Sequence, residues 1–358
     1  TAMNSLQTAA DFMAALTVDD TVKAMQLDKV FVALMPWLQQ APAEEVQQLA
    51  QALLAANTRW HVALHDTLSW LDDEDWPALV HAALQSAQAR GSMSEVERTV
   101  LESASYQHPE LLTPFVAQLE GLGLDLECDE AGASEDSTQA AMHLIFPQRY
   151  LKREIAWIPW HWHPSWNLQP GPERYDFGGE GRGICQHCGG PLQHLISLPA
   201  HKVYGADGGT ALVHLQLCLS CMESGLGELH YSHDAQGLAH CLNAAQDGQL
   251  QAPDRECGPL RATQAALAQT PPRWQRQEWG QSNGRENLYR VGGAPAWVQS
   301  PWVPLCKGCG QPMRFVLQLD SHIPQADGGE EHYWGSGGVL YGFACAPCGH
   351  SAYITQYT

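Results

Sequence analysis

Eight of the eleven cysteines fall in four Cys-x-x-Cys pairs: Cys185/Cys188, Cys218/Cys221, Cys306/Cys309 and Cys345/Cys348. Two residues between cysteines let both thiolates reach one ion from a tight turn. Two such turns supply the four sulfurs of a tetrahedral zinc site. The order of the pairs predicts a first site from Cys185, Cys188, Cys218 and Cys221, and a second from Cys306, Cys309, Cys345 and Cys348. Each is expected to hold one structural zinc ion, which makes two zinc ribbons.

The two halves of this region read as copies. Cys185-Gln-His-Cys188-Gly-Gly-Pro-Leu192 precedes the apolar Leu195–Leu198, and Cys306-Lys-Gly-Cys309-Gly-Gln-Pro-Met313 precedes Phe315–Leu319. Glycine after the second cysteine permits the positive φ of a metal-binding knuckle, and proline stiffens its exit. The second pair of each half closes another apolar run, Leu212–Leu217 or Val339–Ala344. A hairpin of two long strands with the knuckle at its metal end is the expected local structure. With two visible copies, the pattern is an internal duplication and not a solenoid.

Residues 1–120 read as helix after helix. Apolar positions recur at helical spacing from Asp20 to Leu38, from Pro42 to Asn57 and from Trp60 to Leu71. Asp75 before Trp76-Pro77 is a start signal, Gly91 a stop, and Ser94-x-x-Glu97 a capping box. Pro109 is expected to open a last helix through Leu119, ending at Gly121. The acidic turn Asp72–Asp75 can face a basic partner or simply favour the next helix N-terminus. Gly, Ser and carboxylates dominate residues 121–139, which are expected to be an acidic linker.

The expected fold class is α+β: a helical domain over 1–120, then a mainly β, internally duplicated domain over 140–358. Its halves are 140–230 and 284–358, and the Ala- and Gln-rich segment 231–283 is read as a helical connection in which Cys241 and Cys257 are ordinary thiols. Trp157, Trp160, Trp162 and Trp166 are read as core aromatics.

The stretch 284–358 also carries a resemblance. Gly292, Gly293, Pro295 and Trp297 form a Gly-Gly-x-Pro-x-Trp segment, followed by Cys306, Cys309, Gly310 and Pro312 in Cys-x-x-Cys-Gly-x-Pro. This resembles the bacterial YwqG-like family and the zinc-binding repeats of the programmed cell death protein 2 family. The match weakens over 175–225, where Gly178-Gly179 lacks the Pro-x-Trp, and the N-terminal helices are not covered. The resemblance implies a mostly β, pseudo-symmetric pair. It also implies partner binding: chaperoning of a nascent ribosomal protein in eukaryotic relatives, toxin neutralisation in bacterial ones.

No standard catalytic constellation accompanies these motifs. Gly178–Gly183 leads into a cysteine knuckle and not a helix, so it does not read as a phosphate cradle. Gly280-Gln-Ser282-Asn-Gly284 has the letters of a nucleophile elbow, but polar residues precede it and a loop is expected. His61 and His65 lack the glutamate of a zinc protease, and His161/His163 lack a third ligand. Four cysteines per ion leave no coordination position for a catalytic water. The chain is therefore read as no enzyme.

Charge narrows the partner. The 19 Lys and Arg against 39 Asp and Glu give a net charge of −20, which disfavours nucleic acid and favours a basic protein partner; that this partner is a toxin or a ribosomal protein is what the resemblance implies. No run of apolar residues is long enough for a membrane span, and Thr1–Gln7 does not read as a secretion signal. With repeated metal-type cysteine pairs, this places the expected location in the cytoplasm.

Overall fold

The computed structural model describes residues 6–16, 30, 33, 34, 36–38, 40–56, 61–124, 140–151, 163–243, 249–254, 256–271, 274, 275, 277 and 279–358. Trp60, Cys128, Trp157, Trp160, His161, Trp162, most of the expected helix Asp20–Leu38 and most of the linker lie outside them. Two compact units make up the chain. One is Thr1–Glu130 with Glu154–Asn167 and Pro271–Trp274; the other is Ala131–Arg153, Leu168–Thr270 and Gln275–Thr358.

The first unit is helical. Ala43–Ala56 buries Val46, Leu49, Ala50, Leu53 and Leu54, one stripe at helical spacing. Trp76–Arg90 buries Trp76, Leu79, Val80, Ala83, Leu84 and Ala87 on the same principle and stops at Gly91, whose φ of 72° lets its N–H reach the Ala87 and Gln88 carbonyls. Ser94 and Glu97 form the expected capping box of Glu95–Gln107. Asp75 is no side-chain cap; its carboxylate instead accepts from Gln47 Nε2 at 2.5 Å. The last expected helix is broken into Pro109–Leu112, a 3-10 turn Thr113–Phe115 and Val116–Gly121. Pro114 explains the break, because it lacks an N–H for the helical ladder. Trp166 is half-buried in the turn Pro164–Trp166, and His163 meets the Ser165 hydroxyl at 2.8 Å and the Trp274 ring at 5.5 Å.

The second unit is mainly β. Its strands are β1 (Met142–Ile145), β2 (Tyr175–Phe177), β3 (Glu180–Ile184), β4 (Pro191–Pro199), β5 (Leu212–Leu217), β6 (Leu229–His233), β7 (Ala239–Cys241), β8 (Thr263–Gln269), β9 (Arg290–Val291), β10 (Arg314–Asp320), β11 (Ile323–Pro324), β12 (Glu331–His332), β13 (Val339–Cys345) and β14 (His350–Gln356). Among the described residues, twelve form one antiparallel sheet ordered β3-β4-β2-β8-β1-β9-β10-β13-β14-β6-β7, with β5 also on β4; β11 and β12 pair apart. The path nearly closes on itself, because the His214 N–H on β5 donates to Gly237 O in the β6–β7 turn at 2.9 Å. β13 is buried along its whole length.

The segment 231–283 is not a helical connection. It contributes most of β6, then β7 and β8, and among its described residues only the turn Trp279–Ser282 is helical. Ala and Gln favour helices in isolation, but β8 sits between β1 and β2 with Ala265–Ala268 buried. Burial on both faces overrides that preference.

The two halves of the sheet repeat the same bonds at the same offsets. Phe177 pairs with Ile196 and Val291 with Leu317. The next residues, Gly178 (φ 69°) and Gly292 (φ 72°), donate their N–H to Leu195 O and Val316 O, both at 2.8 Å. Leu195 and Val316 each sit at the register shift of the hairpins β4–β5 and β10–β13.

Candidate metal centres

All eight predicted cysteines are brought together as two groups of four, Cys185/Cys188/Cys218/Cys221 and Cys306/Cys309/Cys345/Cys348. In each group the sulfurs lie within 4.8 Å of one another, and each group can hold a metal ion. Four sulfurs about 2.3 Å from one ion at tetrahedral angles lie about 3.8 Å apart. The Sγ separations of 3.7 Å for Cys185–Cys221, 3.6 Å for Cys188–Cys218 and 3.6 Å for Cys309–Cys345 fit that spacing.

The knuckles are built by backbone hydrogen bonds that match between halves. Gly189 N–H donates to Cys185 O (2.8 Å) and Cys185 N–H to Gly190 O (2.8 Å); Gly310 N–H donates to Cys306 O (2.7 Å) and Cys306 N–H to Gln311 O (2.8 Å). Gly189 and Gly310 have φ of 75° and 72°, the left-handed turn expected after each second cysteine. Amide N–H groups also point at sulfur, from Gly190 to Cys188 at 3.3 Å and from Gly308 to Cys306 at 3.4 Å. Such bonds stabilise thiolates.

The partner pairs differ. Cys218 precedes the helical turn Leu219–Glu223, held by Cys218 N–H to the buried Tyr231 hydroxyl (2.9 Å) and Leu219 N–H to Gln193 Oε1 (2.8 Å). Cys345 ends β13, and Cys348 leads through Gly349 into β14. In the first group only Cys188 is not fully buried, whereas in the second Cys309 is exposed and Cys348 half-buried.

Charge crowding governs both groups. Hydrogen bonds from Cys218, Cys221 and Cys241 hold the Cys185 thiol far below the ordinary thiol range, against the opposing effect of burial. The hydrogen bond with Cys185, helped by burial, pushes Cys218 up to about 12. In the second group burial disfavours the Cys306 thiolate, but the Cys309 and Gly308 amides and the Cys345 and Cys348 thiols outweigh it and bring Cys306 to about 6. Cys345 rises to about 12, first from burial. In each group one thiol is held low while Cys218 and Cys221, or Cys345 and Cys348, are raised, a balance that a divalent cation suits.

Each group also has an additional donor that the sequence reading missed. Cys241, read there as an ordinary thiol, places its Sγ 4.0 Å from that of Cys185. His350 places Nδ1 3.5 Å from Cys306 Sγ. His350 was visible as the second residue after Cys348. Cys241 was not, because only the return of β7 toward β3 brings it there.

The Gly-Gly-x-Pro-x-Trp segment braces the second centre from behind. Ala296 N–H donates to Gln318 Oε1 (2.8 Å), Val298 N–H to the Tyr341 hydroxyl (3.0 Å), and that hydroxyl to Ala296 O (2.7 Å). Trp297 packs on Tyr341 and Phe343, with ring centroids 4.8 and 6.2 Å away. Ser282, by contrast, is buried in a helical turn with its hydroxyl donating to Glu286 at 2.9 Å, so it sits neither in a loop nor at an exposed strand-to-helix elbow. His65 lies near Asp66 at 3.9 Å.

No family model matches the chain, and neither does any solved structure. The chain is 42% identical over 69 residues to the uncharacterized protein YpfL of Salmonella typhimurium, a match spanning 19% of this chain and 15% of that protein. Among the described residues, no helix is long and apolar enough to cross a membrane.

Proposed function

We propose that this chain is a non-enzymatic, acidic zinc protein that binds and masks a basic protein partner, a bacterial toxin for which it acts as the immunity protein. One observation carries the reading: each group brings four sulfurs within 4.8 Å of one another, and four sulfur ligands would leave a tetrahedral ion no position for a reacting water. Zinc is the ion that such sets select among common divalent metals in a reducing compartment, here the cytoplasm. Its binding energy is then folding energy, spent on shaping a surface. The net charge of −20 supplies the attraction to a basic partner. The matched bonds of Gly178 and Gly292, and of the two knuckles, support an internal duplication of the zinc-ribbon unit.

The test is co-expression with the product of the adjacent gene, followed by affinity capture and salt titration. Tight, salt-sensitive binding of a toxin domain is expected. Capture of a ribosomal protein instead would move the role to chaperoning. A shift of nucleic acid at low salt, with no protein bound, would replace both.

A further inference from the structure

The two metal centres share a strand. β6 is bonded to β7 along one edge and to β14 along the other. Tyr231, in its middle, pairs with Cys241 on β7 and with Ser351 on β14. β6 follows the first centre in the chain, whereas β14 follows the last cysteine of the second. The two centres are therefore not closed as separate ribbons.

Residues two apart on β6 hold a ligand-bearing turn of each centre. At the first, the buried Tyr231 hydroxyl accepts the Cys218 N–H at 2.9 Å. Its cross-strand neighbour Cys241 places Sγ 4.0 Å from Cys185 Sγ. At the second, the His233 N–H donates to Gly349 O at 2.8 Å. Gly349 lies between Cys348 and His350, with φ of 63°. His233 Nε2 also meets the Ser351 hydroxyl at 2.9 Å, and His350 pairs with Cys345 across β13 and β14.

This sharing has an energetic consequence. An ion in the second centre fixes the turn through Cys348 and Gly349, and so fixes the edge on which β6 is laid. β6 in that register places the Tyr231 hydroxyl under the Cys218 amide, which orders the turn of the first centre. The ordering entropy of β6 is then lost once for two ions, and the second ion to arrive binds more tightly. Linkage makes the effect equal in both directions.

We propose that the two centres load with positive cooperativity, coupled through β6. The inference rests on the metal reading above and adds a dependence between the ions. Its test is a thermodynamic cycle on the full-length protein, with zinc affinities read by competition against a chromophoric chelator. Cys309→Ser leaves the first centre alone, and Cys188→Ser leaves the second. The two-ion constant of the parent is expected to exceed the product of the two single-site constants by about tenfold. Tyr231→Phe keeps all eight ligand cysteines and removes the hydroxyl that holds the Cys218 amide. In that background the excess is expected to fall to about twofold or less. Where a single-site variant fails to fold, native mass spectrometry of the half-loaded parent decides. Independent sites leave about half of the chains or more with one ion, and coupled sites clearly fewer. A two-ion constant equal to the product, or half of the chains with one ion, would overturn the coupling and leave the metal reading standing. An undiminished excess in Tyr231→Phe would overturn β6 as its route. A parent protein that takes up no zinc would remove both.

Discussion

Cys309→Ser separates a metal-built fold from an ordinary sheet. Cys309 is exposed at the tip of its knuckle, and its Sγ lies 3.6 Å from Cys345 Sγ. Without metal, exchanging sulfur for oxygen at an exposed position changes stability by no more than about 0.5 kcal/mol. With metal, the cost is a ligand. Four-ligand structural zinc sites contribute about 10–16 kcal/mol, so an equal share is about 2.5–4 kcal/mol per thiolate. For a unit of this size that corresponds to a fall of roughly 5–15 °C in melting temperature. The assay pairs elemental analysis with thermal melts in the presence and absence of a chelator. Zinc is expected to drop from two ions per chain to one, and chelated parent protein should melt no higher than the variant. Two ions retained, or a melt within about 1 °C of the parent, would refute the reasoning, since the mutated atom would then be a bystander.

Substitutions at three further positions test local parts of the account. Gly310→Ala should destabilise by about 1–2 kcal/mol in chemical denaturation, because φ is 72° and nothing lies within 4 Å of the new Cβ, so the penalty is conformational alone; Gly310→Asn should recover part of it. Tyr341→Phe should cost about 2 kcal/mol by the same measurement, since it strands the buried Ala296 carbonyl and the Val298 N–H. Burial acts to raise the Glu97 carboxyl, but hydrogen bonds from Arg90, Ser86 and Ser94 outweigh it and hold the group at about 2, against 4.5 unperturbed. Its stabilisation is therefore complete above pH 4.5 and is lost as pH falls toward 2; helical circular dichroism under mild denaturant should show a shallower acid transition in Glu97→Gln.

The metal centres were legible because their geometry is local. Two residues between cysteines and a glycine after the second define the knuckle before any long-range contact forms, and Gly189 and Gly310 adopt the backbone that this requires. The capping box at Ser94 and the stop at Gly91 were legible for the same reason. What failed was decided at a distance. Thr263–Gln269 forms a strand because β1 and β2 flank it, and no property of that heptapeptide reveals its neighbours. Cys241 joins Cys185 through a sheet that brings its last strand back toward β3 and β5.

The interpretation turns on sulfur alone enclosing each ion. X-ray absorption at the zinc edge of the purified full-length protein measures this directly. The account predicts two zinc ions per chain and a single shell of four sulfurs at about 2.3 Å. A nitrogen or oxygen scatterer at about 2.0 Å, from a water or from His350, would mean an open or mixed site and would contradict it.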